Sequence, residues 1–306
     1  MDKASIDGFV RNFLASEANS VRFDIRGNGS SSSAIPGTST ASAPQGAIHT
    51  GTGSPEAAAA SDSWQIYDTE PLIAYGSVDN QLLISLRDMP KVHLQLTPPK
   101  EWLASAQTVI ACFLPFDVTI PESNRSRGYP SWPWLHGRIE GQAILAKLAS
   151  ALCEFLQDHG FEALYPAGEL RFWENSADRR LPHFTSNWSE RHVGYVCGLG
   201  TFGLSKGLIT ERGTAGRIFS IVTSWQAEPT LPDYHGPLEY CIQCGKCAKK
   251  CPVAAIHGPH EKDDHRCAKM LDRSKAKFPT PYYGCGKCQC GTPCERTNPA
   301  RGLFAK

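Results

Sequence analysis

Four cysteines at short intervals could bind an inorganic cluster. Cys241, Cys244, Cys247 and Cys251 are arranged as C-x2-C-x2-C-x3-C-P in the stretch CIQCGKCAKKCP. Thiolates separated by two residues can wrap one face of an iron–sulfur cubane, and Pro252 then turns the chain away. A C-x2-C pair also occurs in zinc sites, but zinc sites rarely use four cysteines in this sequence. The run therefore predicts iron–sulfur chemistry.

Cysteines further along the chain could hold a second cluster. In runs of this type the fourth cysteine usually binds the other cluster of a pair. We therefore assign Cys251 to a second cluster, together with Cys267, Cys285 and Cys288. Either Cys290 or Cys294 then returns to complete the first cluster. The sequence predicts two [4Fe–4S] clusters.

The segment that contains most of the cysteines is basic. Nine of the twelve cysteines follow residue 240, and residues 241–306 contain 13 Lys or Arg against 5 Asp or Glu. Each oxidised cubane with four thiolates carries a charge of about −2, so nearby cations compensate it. This explanation is favoured over a nucleic-acid-binding surface. Binding of tRNA stays open as an alternative, and it predicts an affinity that falls steeply with salt.

The sequence before the cysteines predicts a domain of strands and helices. PLIAYGSVD, QTVIACFLPF and RIFSIVTS are typical of buried strands. RIEGQAILAKLASALCEFLQDHG is typical of a helix with an apolar stripe, ended by Gly160. This alternation predicts an α/β (α+β) domain over residues 64–235. Residues 236–306 contain too little apolar material to fold without metal and form a small cluster-binding domain.

The N-terminal part predicts a helical segment and a linker. Residues 1–25 suggest a short helix, and residues 26–63 are so rich in Ser, Gly and Ala that we expect a disordered linker. No apolar run is long enough to cross a membrane, and the N-terminus lacks the apolar stretch of a secretory signal. We expect a cytoplasmic protein without a membrane partner.

A glycine motif matches a dinucleotide fingerprint outside its usual context. Gly198, Gly200 and Gly203 form G-x-G-x-x-G in GLGTFG. The preceding NWSERHVGYVC does not look like a buried strand, and the following LSKGLITERGTAG does not look like a long helix. Binding of NAD is therefore not favoured. The glycines instead predict that the backbone passes close to a ligand or to another chain segment.

Several motifs together resemble a known family. WLHGRIEGQ, FTSNWSERH, GLGTFGLSKGLIT and YGCGKCQ…PCE resemble the corrinoid-dependent epoxyqueuosine reductases and their reductive dehalogenase relatives, and most closely a subgroup of small iron–sulfur proteins. The resemblance covers about residues 64–299. It implies a cobalamin-reductase-like α/β domain followed by a small two-cluster bacterial ferredoxin-like domain. In two respects the chain departs from the family. Phe184 stands where the catalytic aspartate would lie, and the sequence ends at Lys306 without the helical repeats that grip tRNA.

The resemblance also implies cofactors, partners and site residues. Besides the clusters we expect cobalamin, a low-potential electron donor of the ferredoxin or flavodoxin type, and a small-molecule or modified-nucleoside substrate. Three residues before the glycine turn are candidate proton donors or substrate orienters: Arg191, His192 and Tyr195. The corrinoid would lie near Gly198, Gly200 and Gly203. Trp132 and Trp134 lie in a proline-rich stretch that we expect to be a loop, from which they could cover a macrocycle.

The remaining cysteines are given the following roles. Cys290 lies two residues after Cys288, too close for the two side chains to reach separate clusters without a sharp bend. Cys294 follows after Gly291 and Pro293, which can bend the chain back, and the spacing from Cys288 to Cys294 matches the C-x5-C-E of the resembling subgroup. We therefore predict Cys294 as a ligand and Cys290 as a free thiol. Three further cysteines are expected to be small buried apolar residues: Cys112, Cys153 and Cys197.

The expected function is an iron–sulfur oxidoreductase, linked to a corrinoid, that passes electrons to a substrate in the α/β domain. Residues 64–235 are far more than an electron carrier needs, which favours an enzyme. One alternative is a non-catalytic [4Fe–4S] electron-transfer protein that docks to a partner enzyme. The other is a tRNA-acting epoxyqueuosine reductase.

Overall fold

The computed structural model describes residues 1–22, 63–88, 96–174, 184–258 and 262–301. Apart from Ser63, the predicted linker lies outside these residues. The chain divides into one unit of Met1–Asn19 and Ile66–Lys306 and a second unit of Ser20–Gln65. In the second unit, β1 (Ser20–Arg22) pairs antiparallel with β2 (Ser63–Gln65).

The first unit contains the remaining helices and strands of the described chain. Its strands are β3 (Leu72–Ser77), β4 (Thr108–Pro115), β5 (Ala163–Leu164), β6 (Gly200–Phe202), β7 (Leu208–Thr210) and β8 (Gly216–Thr223). Its α-helices are α1 (Lys3–Ala15), α2 (Gln81–Ser85), α3 (Pro99–Trp102), α4 (Thr119–Ser123), α5 (Trp132–Asp158), α6 (Glu190–Cys197), α7 (Lys246–Lys250) and α8 (Asp264–Lys277).

A four-stranded sheet in the order β3-β4-β8-β5 forms the centre of the first unit, and all neighbouring strands are antiparallel. All residues of β4 are buried because this strand has a neighbour on each side and helices that cover the sheet. The three predicted strands are therefore confirmed as β3, β4 and β8, and the predicted fold class is confirmed. The antiparallel pairing makes the domain α+β.

Helix α5 packs against the sheet and begins earlier than predicted. Ser131 caps it by accepting a hydrogen bond from the Trp134 amide, 3.4 Å from the Ser131 Oγ, and Pro133 lies in the first turn, where a missing amide hydrogen costs little. The expectation of a loop at Trp132 and Trp134 was therefore wrong. Both residues lie in the first turn of α5, and Trp134 is buried against Phe116, with ring centroids 5.5 Å apart.

Helix α6 leads into the glycine motif. It packs against β3, β4 and β8, and it ends at Gly198, whose φ of 101° is left-handed. The chain then forms the antiparallel β6–β7 hairpin. A helix followed by a hairpin is not the strand-turn-helix context of a dinucleotide site. In the hairpin, a Cβ at Gly200 would lie 2.0 Å from the carbonyl oxygen of Ile209, so the strands can approach only if this residue is glycine.

The cysteine-rich segment consists mainly of turns, with the short helix α7 and the longer helix α8. Trp134 of α5 lies against this segment at Gly286, where a Cβ would be 2.0 Å from the indole ring. This contact attaches the loop between Cys285 and Cys288 to the α+β domain. In the described ranges, no helix combines the length and the apolar character that crossing a membrane requires.

Candidate iron–sulfur sites and their surroundings

Four thiols surround one cavity in the cysteine-rich segment. This first thiol group consists of Cys241, Cys244, Cys247 and Cys294, which all line the cavity. The β6–β7 hairpin contributes Gly203 and Ile209 to the wall. The chain therefore returns Cys294 to the three thiols of the C-x2-C-x2-C run. Their role as cluster ligands stays a prediction.

The other four predicted ligands form a second thiol group: Cys251, Cys267, Cys285 and Cys288. Burial raises the pKa of Cys285 to about 11, and the thiols of Cys267 and Cys251 raise it further. Burial also raises the pKa of Cys288, again with contributions from Cys285 and Cys267. Thiols that raise one another's pKa lie close enough for their thiolates to repel. A cationic iron and sulfide core would remove that repulsion.

Both thiol groups have the donor chemistry that a [4Fe–4S] cluster requires, namely four cysteine sulfurs each. Backbone and hydroxyl groups also reach sulfur: the Ala255 amide donates to Cys251 Sγ at 3.2 Å, and Thr292 Oγ1 lies 3.4 Å from Cys294 Sγ. Within the described ranges, no three His, Cys, Asp or Glu side chains converge on a point where a single metal ion would sit. In a [4Fe–4S] cluster each thiolate binds a different iron atom, so the four sulfurs need not converge on one point.

Cys290 belongs to neither group. Its side chain is fully buried, and Asn124 Nδ2 lies 3.5 Å from its sulfur. The same amide nitrogen donates to the carbonyl oxygen of Cys285 at 3.0 Å. Burial raises the pKa of Cys290 to about 12, so the group is a neutral thiol. Cys294, by contrast, lines the cavity of the first thiol group. The assignment of Cys290 as a free thiol stays a prediction.

Two of the candidate catalytic residues on α6, Arg191 and Tyr195, lie in the neighbourhood of the cysteine-rich segment. Arg191 lies near Cys267 and Cys288, and its Nη1 donates to the carbonyl oxygen of Lys206 at 2.7 Å. Tyr195 stacks on Tyr234 with ring centroids 5.4 Å apart and packs in the cluster that includes Cys241 and Cys294. Residues four apart share one helix face, so the Arg191 and Tyr195 side chains leave α6 on the same side. The catalytic roles stay predictions.

His192 is a poorer proton donor than a histidine with an ordinary pKa. Burial and the positive charge of Arg191 lower its pKa to about 4. Its Nδ1 lies 2.7 Å from Ser189 Oγ, and its ring packs against Phe202 with centroids 5.1 Å apart. At neutral pH it is an uncharged imidazole, which can orient a substrate but is a weak general acid.

The three glycines proposed as corrinoid contacts lie close to other parts of the chain. Gly198 packs against Thr230, Gly200 against the backbone of Ile209, and Gly203 against the Ile209 side chain. A cavity of about 240 Å³ lies near this turn, lined by residues that include Tyr75 and Thr230. A complete corrinoid is far larger than that cavity. A bound corrinoid would therefore extend beyond this cavity.

Two ionisable residues with unusual surroundings were not identified from the sequence. Glu190 begins α6; its Oε2 accepts a hydrogen bond from the Ser220 hydroxyl, and its Oε1 is buried with no partner among the described residues. Burial raises its pKa to about 8. Lys287 is only 3% exposed. The basic composition around Lys287 was visible in the sequence, but nothing in it showed which lysine is buried.

Comparison with known proteins gives a family model and several relatives. The model described as 4Fe-4S binding domain matches residues 238–257. Epoxyqueuosine reductase of Bacillus subtilis (strain 168) is 29% identical over 119 residues, which are 36% of this chain and 30% of that protein. Tetrachloroethene reductive dehalogenase of Desulfitobacterium hafniense is 42% identical over 67 residues, which are 22% of this chain and 12% of that protein.

A solved structure is also similar. The structure of epoxyqueuosine reductase from Streptococcus thermophilus has a TM-score of 0.44 and 19% sequence identity, with 76% of this chain and 62% of that chain covered. A TM-score this low does not by itself establish a common fold. The sequence matches relate the chain to epoxyqueuosine reductase and to reductive dehalogenase, which confirms the resemblance in its motifs. They span less than a third of either curated relative.

Proposed function

We propose that this chain is an iron–sulfur oxidoreductase in which the two thiol groups bind two [4Fe–4S] clusters that pass electrons to a substrate of the α+β domain. The observation that carries this proposal is the cavity of the first thiol group, where Cys294 joins three cysteines more than forty residues earlier in the chain. The match of residues 238–257 to a 4Fe-4S binding domain supports it.

The contacts of α6 support an enzyme over a simple carrier. This helix packs on three strands of the sheet, and its Tyr195 packs against the same cluster of Ile209, Tyr234 and Tyr240 as Cys241 and Cys294. The clusters supply single electrons at low potential when bound. A carrier needs only the cluster-binding segment, whereas here the segment is attached to a larger domain through α6 and Trp134. The proposal requires an external low-potential electron donor, for which ferredoxin and flavodoxin types are the candidates.

A modified nucleoside is the substrate class that the relatives favour. A relative that aligns over 119 residues is named epoxyqueuosine reductase, so a modified nucleoside, free or within tRNA, is as well supported as any other small molecule. Phe184 has no acidic group, and the Lys262 ammonium lies 5.7 Å from the centre of its ring. If this chain reduces an epoxide on tRNA, a group other than residue 184 must supply the proton.

A corrinoid in the α+β domain is supported by the motif resemblance and not by the geometry of residues 198–203. We expect anaerobically purified protein with both clusters to bind cob(II)alamin with a saturable shift to the base-off absorbance spectrum. Flavin mononucleotide is the matched competitor, because a redox protein of this type could hold a flavin instead. If this protein binds cob(II)alamin no more tightly than serum albumin does, it does not use a corrinoid as cofactor. A non-catalytic electron carrier then becomes the better explanation.

A further inference from the structure

Two arginines from neighbouring elements lie together without a carboxylate partner. Arg138 is on α5, and Arg217 is the second residue of β8. The Nη2 of Arg217 donates to the backbone carbonyl oxygen of Arg138 at 2.9 Å. Both side chains are half-buried, and in the described ranges no Asp or Glu side chain forms an ion pair with either guanidinium. Half-buried positive charges without an acidic partner indicate a place where an anion can bind.

The N–H donors of Arg138 are not used by the part of the chain that the structure describes. Its Nε is buried without a hydrogen-bond partner there, and its other nitrogens donate to no described oxygen. The guanidinium carbon lies over the ring of Tyr283, 4.3 Å from the ring centre. The ring attracts the positive charge but offers no oxygen to the N–H groups. Because a buried donor without an acceptor costs free energy, the arrangement indicates an acceptor that a ligand would supply.

The charge of Arg217 lies in the same surroundings. Burial and the positive charge of Arg138 lower the pKa of Arg217 to about 10, whereas Tyr67, Tyr283 and the carboxylate of Glu174 act in the opposite direction. Glu174 is exposed, so water and salt screen its charge. An anion bound by both guanidinium groups would offset their mutual repulsion.

The two arginines adjoin the chain that leads into the second thiol group. A Cβ at Gly284 would lie 3.0 Å from Arg138 Cδ, so this side chain passes against the backbone next to Cys285. A third cation, Lys275 of α8, lies 5.1 Å from the centre of the same tyrosine ring. Lys275 is exposed and pairs with Asp272 at 3.7 Å, so it is not counted as part of the site.

The donors of the two arginines select the kind of anion. A guanidinium presents a planar fork of N–H groups that matches a carboxylate or a phosphate. One fork suffices for the two oxygens of a carboxylate, whereas a terminal phosphate has three oxygens and a charge near −2. We propose that Arg138 and Arg217 bind the terminal phosphate of a nucleotide, so that the substrate is a free nucleotide and not a nucleoside within tRNA. This inference rests on the nucleoside substrate of the proposed function.

Binding of adenosine monophosphate to the protein with both clusters tests the proposal. Wild type should bind it at least about tenfold more tightly than adenosine, because the arginines contact only the phosphate. In Arg138→Gln and Arg217→Gln this preference should disappear, while the affinity for adenosine stays the same. Inorganic phosphate should compete with the monophosphate for wild type. The measurement is isothermal titration calorimetry without oxygen.

Two further variants separate binding from folding. Lys147→Gln is the matched control, since it removes an exposed cation from the same helix α5, and it should keep the full preference. Arg138→Lys keeps the charge beside Tyr283 but lacks the fork. It should bind adenosine monophosphate more weakly than wild type and more tightly than Arg138→Gln. Iron content and the thermal unfolding midpoint report whether each variant is folded.

The outcomes separate this inference from the proposed function. Absence of iron and sulfide from wild-type protein would overturn the proposed function. With both clusters present, equal affinity for adenosine and its monophosphate would overturn only this inference, as would a preference that both glutamine variants retain. An RNA stem–loop whose affinity depends on the two arginines, when that of the monophosphate does not, would also count against it, because its internal phosphates are diesters. Loss of the preference only in variants that also lose iron would assign the arginines a structural role and contradict the proposal.

Discussion

Replacing Cys294 with serine should remove or convert one of the two clusters, whereas replacing Cys290 with serine should leave both intact. Cys294 lies at the cavity of the first thiol group with Cys241, Cys244 and Cys247. Cys290 is fully buried next to Asn124, apart from both groups. Because each cubane needs four ligands, loss of Cys294 should lower the iron content from about eight atoms per chain to about four.

The two serine variants are matched controls for each other, since they make the same chemical change four residues apart. Iron and acid-labile sulfide should be measured on anaerobic protein, together with EPR spectra of the dithionite-reduced samples. Cys294→Ala is a further control, because the serine hydroxyl could bind iron in place of the thiolate and alanine cannot. Full iron in both Cys294 variants, with iron lost in Cys290→Ser, would show that the ligand assignment is wrong.

Replacing Glu190 with glutamine should reduce the pH dependence of stability. Burial raises the pKa of this carboxyl from its ordinary value of 4.5 to about 8, although hydrogen bonds from Ser220 and Trp188 act in the opposite direction. Between these values the folded chain holds a proton that the unfolded chain releases. Wild-type stability should therefore fall by about 1 kcal/mol per pH unit as the pH rises from 4.5 to 8. Above about pH 8 this contribution is lost.

Glutamine is uncharged throughout that range and should not show this fall. The stability of Glu190→Gln relative to wild type should rise with pH up to about 8 and then stay level. The thermal unfolding midpoint is the measurement, taken anaerobically at one scan rate because cluster loss makes unfolding irreversible. Glu154→Gln, which changes an exposed carboxylate on α5, is the control. Parallel curves for wild type and Glu190→Gln would contradict a buried, protonated carboxyl.

A ligand set could be proposed from the sequence because the constraint on three of its members is local. The intervals between Cys241, Cys244 and Cys247 fix how three thiols share one face of a cluster. The spacing from Cys288 to Cys294, which resembles that of the family subgroup, suggested Cys294 as the fourth, and Cys294 lines the same cavity as those three thiols. The strands were predictable for a similar reason, since β4 is an uninterrupted apolar run that is buried over its whole length.

Features that depend on distant parts of the chain could not be predicted. The burial of Lys287 depends on Asn124, which lies far earlier in the sequence. The start of α5 was missed because prolines around Trp132 and Trp134 suggest a loop, although proline is acceptable in a first helical turn. The position of the Arg191 side chain depends on its hydrogen bond to the carbonyl oxygen of Lys206. The burial of Lys287 and the position of Arg191 have no local signature in the sequence, whereas the start of α5 has one in Ser131 and Pro133 that was not used.

The metal content of the wild-type chain tests the central claim most directly. The claim is that two groups of four thiols each hold a [4Fe–4S] cluster. Protein purified without oxygen, or reconstituted with iron and sulfide, should contain about eight irons and about eight acid-labile sulfides per chain. A preparation with stoichiometric zinc and no sulfide would contradict the account.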